Sequence, residues 1–113
     1  MTARNPLLTA PPYPVEQALK RLGANLRTAR LRRNLTIKDV AEKIGAGPRA
    51  VMDAEKGKPS TSIAVYVALL WVFDLLGPFG EVADPARDAE GQALARSRER
   101  SRARIGEGLD DDF

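Results

Sequence analysis

Residues 36–60 read TIKDVAEKIGAGPRAVMDAEKGKPS, and the way this stretch is punctuated decides the fold. Thr36 suits the N-cap of a helix over Ile37–Ile44, with Asp39 at its third position to complement the exposed amides. Ile37, Val40, Ala41 and Ile44 fall on one side at helical spacing. Gly45-Ala46-Gly47 then supplies the positive φ that ends a helix and turns the chain, and Pro48 fits the first turn of the next helix, where no amide proton is needed. That next helix is short, about Pro48 to Lys56, with Ala50, Val51 and Ala54 inward and Gly57 as its stop. Two short helices about a glycine turn, with the small Ala41 in the corner, spell a helix-turn-helix unit.

Upstream, Val15, Leu19, Leu22, Leu26 and Ala29 line one face of a helix running to Arg33, with Gly23 as its weak point. Downstream, Ser60-Thr61-Ser62 offers N-caps for a helix reaching about Phe73 that is apolar on every side and therefore needs cover all round. A short helix from Leu75 to Val82, loosened by Gly77-Pro78, follows. Asp84-Pro85 then starts a weakly apolar last helix that grades into an arginine-rich tail. The expected class is all-α: a five-helix domain over residues 15–83, with a flexible, proline-rich arm at 1–14 and a C-terminal helix and tail at 84–113.

Composition narrows the function. The 113 residues include no cysteine and no histidine, which removes disulfides, the usual zinc ligands, thiol nucleophiles and the commonest general base. No paired acids at helical spacing face the expected core, so no enzyme, metal or cofactor is expected. The apolar run at 63–73 is too short to span a bilayer, and no signal pattern opens the chain; a cytoplasmic, nucleoid-associated protein with no membrane partner is the expectation. Net charge is only +3, but it is segregated: six cations and no acid lie between Lys20 and Arg33, and five arginines against one glutamate between Arg96 and Arg104. Such blocks suit a polyanion.

Residues 22–60, LGANLRTARLRRNLTIKDVAEKIGAGPRAVMDAEKGKPS, resemble the Xre family, the helix-turn-helix fold of the lambdoid phage repressors and Cro. The resemblance is carried by Leu26 with Arg30, Leu35-Thr36, Ala41-Glu42-Lys43-Ile44-Gly45, Val51 and Glu55-x-Gly57. It implies a lambda-repressor-like domain whose third helix enters the major groove of double-stranded DNA, presenting Gly47, Pro48, Arg49, Met52 and Asp53. Arg49 would take guanine O6 and N7 or a phosphate; Met52 would touch a thymine methyl or pack. Asp53 would accept from a cytosine amine, or pair with Arg49 or Lys56.

Ile37 stands where the family usually has a phosphate-gripping glutamine, so Lys38 is expected to take that contact. Arg27, Lys56 and Lys58 would add charge, and Ser60, Thr61 and nearby helix-start amides an anion site. Arg30 and Glu55 match the family's internal ion pair; unrelated surface charges are the alternative.

Tyr66, Leu69, Leu70, Trp71, Phe73, Leu76 and Phe79 are too many large apolar groups for one small core, and several are expected in a two-fold homodimer interface, with a wholly internal core as the alternative. The trailing DPARD segment and RSRERSRAR tail look like those of HipB-like antitoxins, which repress their own operon and restrain a HipA-like kinase toxin. The leading expectation is thus a dimeric repressor of an inverted-repeat operator acting as such an antitoxin. The rival is a protein-interaction module that keeps the helix-turn-helix as scaffold without reading sequence.

Overall fold

A computed structural model describes residues 5–111, with side chains described through residue 106. It is all-helical, with no strand among the described residues: α1 (Pro6–Thr9), α2 (Tyr13–Arg32), α3 (Ile37–Ile44), α4 (Pro48–Glu55), α5 (Ile63–Val72), 3-10 turns at Gly77–Glu81 and Pro85–Arg87, and α6 (Ala89–Asp111). The chain divides into two compact units after Gly77.

In the first unit α4 packs on α2, and α3 packs on α4 and α5. Their shared core is Leu26, Ala29, Val40, Ala41, Val51, Ala54, Tyr66, Leu69 and Phe73, all buried. Each of the larger apolar side chains here contributes about 1.5–3 kcal/mol by leaving water. Thr36 caps α3 in a full capping box: its hydroxyl accepts from the Asp39 amide at 3.0 Å and its own amide donates to Asp39 Oδ2 at 3.0 Å. The Thr36 amide, and after it the Thr36 side chain, hold the Asp39 carboxyl below its ordinary value.

One stop device recurs. Asn34, Gly45, Gly57 and Asp74 all sit in left-handed backbone, at φ of 53°, 74°, 69° and 59°. Behind each, the next amide reaches back five residues: Leu35 to the Arg30 carbonyl (3.2 Å), Ala46 to Ala41 (3.0 Å), Lys58 to Asp53 (3.1 Å) and Leu75 to Leu70 (2.8 Å). These are Schellman closures, which satisfy carbonyls that a helix end leaves open. After the last of them the expected helix over Leu75–Val82 is instead a 3-10 turn at Gly77–Glu81, where Pro78 lacks the donor an α-helix would need beyond its first turn.

The proline-rich start carries a one-turn helix capped by Asn5, and α2 begins at Tyr13, two residues ahead of the expected Val15.

In the second unit Asp84 caps the Pro85–Arg87 turn, its carboxylate accepting from the Ala86 amide at 3.0 Å. Gln92 ties α6 to that turn through the carbonyls of Pro85 and Ala86. The expected arginine tail is helical as far as Asp111. No helix among the described residues is long and apolar enough to cross a membrane.

Candidate nucleic-acid interface

The helix expected to face DNA, α4, is held from behind and bare in front. Val51 and Ala54 are fully buried on its inner side. Gly47 at its N-cap is extended (φ −77°, ψ 154°) and caps no amide through a side chain, and Pro48 occupies the first turn. Gly47, Pro48, Arg49, Met52 and Lys56 are all exposed, so five of the expected contact residues share one accessible region on and beside this helix.

Two contacts fix where α4 lies. At the first, backbone meets backbone. A Cβ on Gly23 would come within 2.5 Å of the Ala54 carbonyl oxygen and 2.7 Å of the Gly57 amide nitrogen, and one on Gly57 within 2.5 Å of the Leu19 carbonyl oxygen. Real side chains do not reach such distances, so Gly23, expected to weaken its helix, is where α4's C-terminal end seats on α2.

The second contact is the Arg30–Glu55 pair. Arg30 Nε donates to Glu55 Oε2 at 2.7 Å and Nη2 to Oε1 at 3.0 Å, while Nη1 donates to the Leu35 carbonyl at 2.9 Å. Both side chains are about nine-tenths shielded, at 10% and 8% exposure. Glu55's hydrogen bonds push the guanidinium above its ordinary value against the opposing effect of burial. The fork ties α2 to the end of α4 and, through Leu35, to the turn before α3.

Asp53 is engaged by cations. Its Oδ1 lies 3.4 Å from Arg49 Nε and 3.2 Å from Lys58 Nζ. That oxygen is shielded from solvent, and neither cation aims a well-directed hydrogen bond at it. The expected alternative partner Lys56 is replaced by Lys58, because the closure at Gly57 folds the Lys58 amide back onto the Asp53 carbonyl. Lys58 is anchored further by its own carbonyl, which accepts from the Tyr66 hydroxyl at 2.8 Å. Burial pushes the Tyr66 phenol up from its ordinary value. Arg49 remains 76% exposed, so its link to Asp53 orients it weakly and leaves it free to exchange partners.

Arg27, Met52 and Lys56 meet Ile37, Arg30 and Glu55 around one shallow groove between α2, α3 and α4. Ile37, half-buried, packs against the core and presents no polar group to this groove. Lys38 stands exposed one residue further along α3. At the start of α5 the expected anion site is partly occupied: Ser62 is the N-cap, and its hydroxyl accepts from the Ala64 amide at 3.1 Å. Thr61 donates its amide to the Lys58 carbonyl, and Ser60 is exposed.

The expected dimer set divides. Tyr66, Leu69 and Phe73 are buried in the chain's own core, at 2%, 1% and 1% exposure, and this corrects their assignment to an interface. Leu70 and Leu76 are half-buried, and Trp71 and Phe79 are exposed. The reason is angular: residues 66, 69 and 73 recur at helical spacing on the inner side of α5, whereas Ala64 and Trp71 fall opposite and Ile63 stands at the exposed first turn. Trp71 is 60% and Ile63 63% exposed.

A further tie had no sequence signal. Arg33 donates to the Ala29 and Phe73 carbonyls, each at 2.9 Å, with its guanidinium carbon 5.3 Å from the Phe73 ring centre, fastening the ends of α2 and α5. Gly23, a lone glycine inside a strong helical pattern, was expected only to weaken its helix, and its seat against Ala54 and Gly57 was not signalled by that pattern. Comparison of the chain with protein-family models, with curated proteins and with solved structures finds no match in any of the three.

Proposed function

We propose that the protein is a sequence-specific, DNA-binding transcriptional repressor, in which α3, the glycine turn and α4 form a helix-turn-helix unit and α4 enters the major groove. The observation that carries this reading is the state of α4: anchored by Val51, Ala54, the Gly23–Gly57 contact and the Arg30–Glu55 fork, yet presenting Arg49 and Met52 outward. A reading element must be rigid behind and accessible in front, because base contacts are lost with small displacements. Arg27, Lys38, Lys56 and Lys58 supply cations for the phosphates on either side. An inverted-repeat operator calls for a two-fold homodimer, and the outward apolar residues Ile63 and Trp71 support one. The resemblance to HipB-like antitoxins extends the proposal to an autoregulated toxin-antitoxin operon and a kinase-like toxin as protein partner.

The test is binding of the full chain to duplex DNA from upstream of its own gene and to a scrambled duplex, at two salt concentrations, with Arg49→Ala alongside. A preference for the upstream duplex that Arg49→Ala reduces by about 1–3 kcal/mol supports the reading. Equal, salt-sensitive binding to both duplexes by the unaltered chain sinks it. The second reading, a protein-interaction module on the same scaffold, draws on the apolar Ile37 beside the groove. It requires that neither duplex be preferred.

A further inference from the structure

Helix α6 carries Arg96, Arg98, Arg100, Arg102 and Arg104, all exposed, and among the described residues none of the five is paired with a carboxylate. An ordinary solvated helix places acids four residues from its cations, which stabilises it. Here the four-residue spacings join like charges: Arg96 with Arg100, Arg100 with Arg104, and Arg98 with Arg102. Each such pair works against the helix by about 0.2–0.5 kcal/mol. Glu99 is the one acid among these nine residues. Glu99 stands three residues from both Arg96 and Arg102, one counter-charge for five cations, and a polyanion would provide the rest.

The arrangement says what kind of polyanion. At about 100° per residue, Arg96, Arg100 and Arg104 form one stripe, and Arg98 and Arg102 a second on roughly the opposite side. Both stripes occupy about 12 Å of helix length. A membrane surface or an acidic protein face would engage one side only, and among its described residues α6 has no broad apolar face to enter lipid, with Leu94 and Ile105 the large exposed apolar groups there. Phosphates on two sides of a rod about 10–12 Å across are found in the major groove of B-DNA, about 12 Å wide, whereas the A-form RNA major groove is too narrow.

We propose that α6 is a second, sequence-independent DNA-binding element that lies in the major groove of duplex DNA, with its two arginine stripes on the phosphates of opposite strands. The inference rests on the repressor reading only in taking DNA as the partner, and uses nothing of α4. It is tested on the full chain by measuring affinity for a scrambled DNA duplex as a function of salt. The variants are Arg96→Gln/Arg100→Gln/Arg104→Gln, Arg98→Gln/Arg102→Gln, and all five arginines to lysine. Glutamine matches arginine closely in helix propensity and removes the repulsive pairs, so helicity, followed by circular dichroism, is expected to persist.

With one phosphate per arginine, the log–log salt slope falls in magnitude by about 2.7 in the triple variant and about 1.8 in the double, and holds in the lysine variant. A slope unchanged in both glutamine variants overturns the proposal. A change in only one of them overturns placement in a groove in favour of one-sided contact, and equal affinity for an RNA duplex overturns the choice of DNA. If the unaltered chain shows no sequence preference while both glutamine variants lower the slope, the operator-reading role of α4 fails and this inference stands.

Discussion

Between Asn5 and Gly77 the chain buries nine apolar side chains and one arginine; from Pro78 through residue 106 it buries none. The first unit is held by contacts between residues far apart in sequence, such as Arg30 with Glu55 and Arg33 with Phe73. The second is held by neighbours: an Asp84 cap, a Gln92 tie to carbonyls six and seven residues away, and the internal bonds of α6. Positioning and charge are thus assigned to different kinds of structure. A group that must stand at a fixed place is carried by the part with a core, while a charged rod that needs only length is carried by local hydrogen bonds.

The comparison is broken most forcefully at Arg30. Arg30→Ala leaves Glu55 buried without its partner and is expected to destabilise the first unit by about 3–5 kcal/mol in chemical denaturation. A loss below about 1 kcal/mol, the level of an exposed pair, would show that the fork does not tie α2 to α4. Next comes Gly23→Ala. The new methyl meets backbone oxygens that cannot rotate away, and overpacking of this kind costs about 1–3 kcal/mol although alanine favours the helix itself. A stabilised variant would mean that the two helices part without cost.

Thr36→Ala removes the α3 cap and should cost about 1 kcal/mol by the same assay. It carries a pH signature. Because the Asp39 carboxyl lies below its ordinary value of 3.8 when folded, its contribution is present above that value and is lost as pH falls through the lower folded one. Thr36→Ala keeps the amide at this position, the larger cause, so the difference in stability between the variant and the unaltered chain should shrink only slightly in strong acid and stay level at neutral pH. The smallest effect belongs to the second unit: the α6 glutamine variants, which touch no buried group, should leave the denaturation of the first unit within about 0.5 kcal/mol.

Much of the first unit was legible because its boundaries are written in local chemistry. Thr36 with Asp39, Gly45, Pro48 and Gly57 each act on their own few residues, and the edges of α3 and α4 fall where those residues place them. The orientation of α5 was not legible. A helix apolar on all sides carries no periodic signal to separate inward Tyr66, Leu69 and Phe73 from outward Trp71. Of Asp53's two partners Arg49, four residues away, was expected; Lys58 was missed because helical spacing points to Lys56, and only the reversal at Gly57 brings Lys58 into reach. The full length of α6 escaped because Arg, Ser and Ala alternate without an apolar stripe.

The seat of α4 on α2 has an evolutionary consequence. At Gly23 and Gly57 the two segments meet through bare backbone, so no change of side-chain size there can adjust the angle of α4 by degrees. Drift at either position is close to all-or-none. Arg49 and Met52 are exposed on the outward side, and neither supplies an atom nearest to either glycine, so they can vary without disturbing the seat. The architecture thereby separates what α4 presents from where it points, and lineages descending from this chain are free to change the one while inheriting the other.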